Sequence, residues 1–139
     1  MKYRDSPTKR SLALLRRRGY LVAIGEKWNP FAKIRQDIYG FGDLLACKAV
    51  TGLILPDVVA SAGRIENKMD HFGGIFLVQC TSGPHHASRK TKIMALPSAK
   101  MWCDSGGGIL LMSWTKRGER GKRKLWACRE EWIDPSFSI

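Results

Sequence analysis

Gly74-Ile75-Phe76-Leu77-Val78-Gln79-Cys80 is the stretch on which the fold turns. A short, near-continuous apolar run bounded by glycine reads as a strand covered on both faces, the kind found in the middle of an α/β sheet. It ends on Gln79, Thr81 and Ser82 before Gly83. A polar residue directly after Phe76-Leu77-Val78 needs a partner or a ligand. An earlier run, Gly40-Phe41-Gly42-Asp43-Leu44-Leu45-Ala46, has the same character, with Asp43 at its opening. Adjacent strand ends that carry oxygen-bearing side chains suit a hard divalent cation.

Working outward, Ser6-Pro7 reads as a helix start, with serine as cap and proline in the first turn. Leu12 and Leu15, beside Ala13 and Leu14, supply an apolar stripe, Arg16-Arg17-Arg18 suit the last turn and Gly19 closes it, giving a helix over about 7–18. Tyr20–Ile24 is a short strand. Gly25–Lys33 reads as a loop, 35–40 as a turn-like lead-in, and Phe41–Cys47 as the second strand. Residues 48–74 form an excursion from the sheet. The third strand is Gly74–Cys80. A short helix runs from Ser88 to Ala95, and another opens at Pro97 and ends by Gly106. Ile109–Trp114 and Leu125–Arg129 pair as a hairpin around the basic turn Thr115–Lys124. The tail is expected to be loose from Asp134. The expected fold is α/β: a mixed sheet of about five strands flanked by helices, in one domain spanning 1–139.

The charge points to polyanions. Lys and Arg number 24 against 12 Asp and Glu, for a net charge of +12 and a pI near 10.0. Solubility alone asks a small domain for a magnitude of only about 2–8. Phosphate contacts with counterion release explain such an excess. Candidate nucleic-acid contacts are Arg89 and Lys90 after the third strand, and Lys116, Arg117, Arg120, Lys122, Arg123 and Lys124 in the basic turn. A dense cluster of this kind grips backbone without reading sequence. No run approaches the length of a membrane span, and no basic amphipathic helix with aromatic anchors is evident, so no membrane partner is expected. The N-terminus has no signal-type apolar core. Cys47, Cys80, Cys103 and Cys128 are not spaced as C-x-x-C, and His71, His85 and His86 complete no zinc spacing. Reduced, mostly buried thiols in a cytoplasmic protein are expected. His85-His86 are expected in a surface loop, and Trp28, Trp114 and Trp126 as core or rim aromatics.

Helix, strand, strand with Asp43, strand with Gln79-x-Thr81, helix and strand hairpin resemble the PD-(D/E)XK nuclease superfamily. Within it the chain is similar to small phage and bacterial endonucleases of the Holliday-junction-resolvase-like kind, over about residues 7–133. The resemblance implies a restriction-endonuclease-like core and Mg²⁺- or Mn²⁺-dependent hydrolysis of phosphodiesters, with DNA favoured over RNA. Asp43 matches the metal-binding aspartate. Gln79 stands where the family has Asp or Glu, and the Cys80 carbonyl completes the ligand set. Thr81 stands in place of the family's lysine, and Lys92, on the helix that follows, is the candidate replacement. Arg89 is its phosphate-facing neighbour. The first helix lacks the family's glutamate, and Glu26 or Asp37 is the candidate substitute. A non-catalytic nucleic-acid-binding module on the same fold is the alternative. Cutting both strands symmetrically calls for two sites, so a homodimer through apolar residues 53–59 is a further expectation.

Overall fold

In the computed structural model, residues 6–25, 27–48 and 74–135 are described. The expected excursion, its 53–59 interface, Glu26 and the end of the tail lie outside the described residues.

The chain runs α1 (Pro7–Arg17), β1 (Leu21–Ile24), β2 (Lys27–Asn29), β3 (Ile34–Gln36), β4 (Leu44–Lys48), β5 (Gly74–Ser82), a single 3-10 turn (Gly83–His85), α2 (His86–Ala95), α3 (Pro97–Asp104), β6 (Gly108–Arg117) and β7 (Leu125–Trp132). Five strands form a mixed sheet in the order β1-β4-β5-β6-β7. Its pairs are antiparallel except β5 with β6, which α2 and α3 connect as a parallel crossover. The fold is α/β; among the described residues, three helices flank the five strands.

β5 reads as a continuous apolar run because it is covered on both faces. Phe76, Val78 and Cys80 face α1 and join Leu15, Tyr20, Leu44, Leu110 and Met112. Leu77 faces α2 and α3, with Ile93, Ala99, Ile109, Leu111 and Phe41. Alternation puts Gln79 and Thr81 on this second face too. On the first face, Phe76 meets Tyr20 and Trp132 edge-on, at centroid distances of 5.4 and 5.2 Å. α1 is pinned there by two polar contacts. Trp114 Nε1 donates to Ser11 Oγ at 2.9 Å, and Arg18 grips Glu130 with both terminal nitrogens.

Several boundaries move from the sequence reading. The expected loop over Gly25–Lys33 and the lead-in after it contain a two-stranded hairpin, β2 with β3. Asn29 Oδ1 accepts from Phe31 N and Ala32 N, which turns the chain between these two short strands. Phe41 is not in a strand: it sits buried in a tight turn, and β4 begins at Leu44. β5 continues through Ser82, so Thr81 is a strand residue rather than part of a turn. α2 begins at His86, two residues before the expected Ser88. β6 and β7 both run three residues longer at their ends, to Arg117 and Trp132. Among the described residues, no helix is long and apolar enough to cross a membrane.

Candidate functional site

The turn before β4 sets the site. Ile38 and Gly42 exchange both backbone hydrogen bonds at 2.8 Å, and Tyr39 and Gly40 between them take positive φ angles of 54° and 86°. Two successive residues with positive φ match the tight turns that close twisted hairpins, and glycine suits the second. Gly42 is needed for close approach, because a Cβ there would lie 3.1 Å from Leu77 Cδ2 and 3.2 Å from Ile38 Cβ. The isolated antiparallel bridge between Ile38 and Gly42 closes this turn directly before Asp43.

Asp43 is thereby delivered to the point where β4 meets β5. Its amide donates to Val78 O at 2.8 Å, and its carbonyl accepts from Gly25 N at 2.9 Å. The side chain is buried, and its Oδ2 accepts from Gln79 Nε2 at 2.8 Å and from Cys80 N at 2.7 Å. Gln79 Nε2 also lies 3.5 Å from the Cys80 carbonyl oxygen. The two acceptor oxygens decide which way the Gln79 amide faces. A buried carboxylate gains from such donors, since it would otherwise lose its hydration uncompensated. Asp43, Gln79 and Cys80, named from the sequence, are thus one cluster.

The other candidates are spread around it. Thr81 is buried on the face of Gln79, in register with Ser113 of β6. Arg89 is half-buried on α2 and Lys92 is exposed. With about 100° of turn per residue, both project from the flank of α2 away from Lys90. Lys90 pairs with Glu131 of β7 at 2.5 Å while its side chain stays exposed. Asp37 is half-buried, its carbonyl accepting from Gly40 N at 3.3 Å. In the β6–β7 loop, Lys122 pairs with Glu119 at 3.0 Å, while Arg117, Arg120, Arg123 and Lys124 are exposed.

The chain matches no protein-family model, no curated protein and no solved structure. What the site is able to do therefore rests on its own atoms.

Sequence reasoning missed a second polar cluster. His86 is not in a surface loop: it is buried at the start of α2, with Nδ1 2.6 Å from Ser113 Oγ and Nε2 2.8 Å from Glu131 Oε1. Burial of the Glu131 carboxyl pushes its pKa up, but hydrogen bonds from Lys90 and His86 override this and leave it below the ordinary value. These are the residue types of a nucleophilic triad. However, Ser113 is only 1% exposed within the sheet, so no substrate reaches its hydroxyl. The cluster instead locks the first turn of α2 to β6 and β7. The only sequence signal was Ser113 itself, a polar residue inside the apolar run Ile109–Trp114.

The cysteines form no disulfide; Cys80 is buried, and Cys47, Cys103 and Cys128 are half-buried. Burial pushes the Cys80 thiol far up, Cys128 to about 12 and Cys103 to about 11. None of these three is an activated nucleophile. Among the described residues, no three of His, Cys, Asp and Glu cluster as a metal site. Any cation here would depend on neutral oxygens beside carboxylate.

Proposed function

We propose that this protein hydrolyses phosphodiester bonds in nucleic acid, DNA in preference to RNA, with Mg²⁺ or Mn²⁺ held at Asp43 and Gln79. The observation that carries this reading is the convergence of Asp43 Oδ2 and the Cys80 carbonyl oxygen on one atom, Gln79 Nε2, at 2.8 and 3.5 Å. Two oxygens aimed at one point favour positive charge there, a position the Gln79 amide nitrogen fills. Turning the Gln79 amide over would add its own oxygen to the set. Carboxylate, amide and backbone oxygens are the donor types hard divalent cations take. When bound there, such a cation supplies polarisation of the phosphate and activation of water.

The chain's own residues do the rest. Asp43 brings the negative charge and orients the Gln79 amide. Lys92 and Arg89 of α2 offset the charge that develops on the phosphoryl oxygens. The element order also supports the reading: apart from the inserted β2–β3 hairpin, a helix, a strand, a strand led by Asp43, a strand with Gln79 and Thr81, helices and a strand hairpin follow the succession on which the PD-(D/E)XK resemblance was drawn. The basic excess supports a polyanionic substrate, and the four unpaired thiols support a reducing cytoplasm.

One observation favours a second reading. Gln79 donates its amide to Asp43, a closed and satisfied pair that suits a non-catalytic nucleic-acid-binding protein. Cleavage assays separate the two. Supercoiled plasmid, linear duplex, four-way junction and single-stranded RNA are incubated with Mg²⁺ or Mn²⁺. Hydrolysis requires metal-dependent cutting that falls by roughly 100-fold or more in Asp43→Ala. Tight binding without cutting on every substrate would leave the binding-protein reading standing.

A further inference from the structure

The α1 face of the sheet, opposite Gln79, carries a cluster that the hydrolytic site does not use. Trp126 on β7 is 42% exposed and pairs in register with Lys116 on β6. Lys116 Nζ lies 5.3 Å from the Trp126 ring centroid. Arg10 of α1 reaches the same ring, its guanidinium carbon 3.9 Å from the centroid. One indole therefore gathers two cations from two elements. Among the described residues, neither cation is paired with a carboxylate.

Like charges held close together repel, and the ring quadrupole offsets only part of that. What completes such a cluster is an anion. Because the ring already contacts both cations, it serves as their pedestal rather than as a stacking surface for a base. We propose that Arg10 and Lys116, held by Trp126, form a clamp for the phosphate backbone of a nucleic-acid duplex. The proposal rests on the nucleic-acid reading above and extends it to the other face of the sheet. Continuity favours a polymer over a lone phosphate: beyond Lys116 the same ribbon continues into the exposed loop, with five further basic residues against a single acid, Glu119. Residues 118–124 contain no large apolar side chain, which argues against insertion into a lipid surface.

The test is fluorescence anisotropy with a short labelled duplex over a salt series. The proteins are wild type, Arg10→Gln, Lys116→Gln, the double variant, Trp126→Phe and Trp126→Leu, each shown folded by circular dichroism. Each charge removed should lower the slope of log K against log salt by about one, and the double variant by about two. At physiological salt each should weaken binding roughly fivefold. Trp126→Phe should bind nearly as wild type. Trp126→Leu should lose affinity while keeping both charges. A wild-type slope in the folded double variant overturns the clamp. So does loss of binding to anionic vesicles with duplex binding unchanged, which would make the surface a lipid contact. Asp43→Ala serves as the reference for the hydrolytic reading. If wild type never cuts but the slopes change as expected, hydrolysis fails and the clamp stands. If wild type cuts and the double variant keeps its slope, the clamp alone fails.

Discussion

The buried Asp43 carboxylate ties stability to the metal-binding role proposed for it. It accepts from two donors that β5 presents, Gln79 Nε2 and Cys80 N, in a buried position. Asp43→Ala leaves both without this acceptor, a cost of about 1–3 kcal/mol, and its melting temperature should fall with it. Asp43→Asn keeps one acceptor oxygen, so it should lose less stability. A melt of Asp43→Ala indistinguishable from wild type would mean that water replaces the carboxylate freely. Glu131 gives the pH counterpart. Its folded pKa lies below the ordinary carboxylate value, so its contribution is fully present above that ordinary value. The contribution is lost as pH falls through the lowered one, because the protonated acid loses its charge and one of the two acceptor oxygens that hold Lys90 and His86. The acid limb of a stability-against-pH curve should therefore flatten in Glu131→Gln, while the neutral-pH stability drops. That Asp43, Gln79 and Cys80 come together was legible because polar groups interrupt or end apolar runs. His86, Ser113 and Glu131 were not, because each looks ordinary alone and only the packing of α2 on β6 and β7 joins them.

At the level of elements, those with a strong local signal were legible and those defined by partners were not. α1 carries its own start: Ser6 Oγ accepts from Lys9 N at 3.2 Å, with Pro7 in the first turn. Ser6→Ala should cost about 1 kcal/mol, read as a lower urea midpoint with an unchanged slope. β2 and β3 gave no comparable signal. They are three residues each and largely exposed, so neither alternation nor a buried run marks them. The shift of the second strand's start from Phe41 to Leu44 has a similar cause. Phe41 is apolar because it fills the core beneath α2 and α3, not because it pairs. α3 ends under a constraint that the glycine run hinted at. The Trp102 indole lies where a Gly107 Cβ would be, and its Nε1 donates to Gly108 O at 2.7 Å. Gly107→Ala must displace that ring, at about 1–3 kcal/mol. The displacement should appear as a change in tryptophan near-UV dichroism.

For the whole molecule, β5 and β6 matter most because both cores are built on them. Phe76, Val78, Leu110 and Met112 face α1, while Leu77, Ile109 and Leu111, between them in sequence, face α2 and α3. Neither core has a sheet of its own, so one face cannot lose its support while the other keeps it. The polar contacts agree with this. α1 is bound through Ser11 and Arg18 to β6 and β7, and α2 through His86 and Lys90 to the same two strands. This arrangement predicts a single cooperative unit rather than two stacked ones. Leu15→Ala on α1 and Ile93→Ala on α2 remove fully buried side chains from opposite faces and should each cost about 2–5 kcal/mol. They belong to different core clusters, so their costs should add to within about 0.5 kcal/mol in the double variant. Native-state hydrogen exchange is the sharper test. If the sheet couples the faces, Leu15→Ala should lower the protection of slow amides in α2 as much as of those in α1. Loss confined to α1, with α2 still at wild-type protection, would show that each face opens on its own and that the shared strands do not bind the two layers into one.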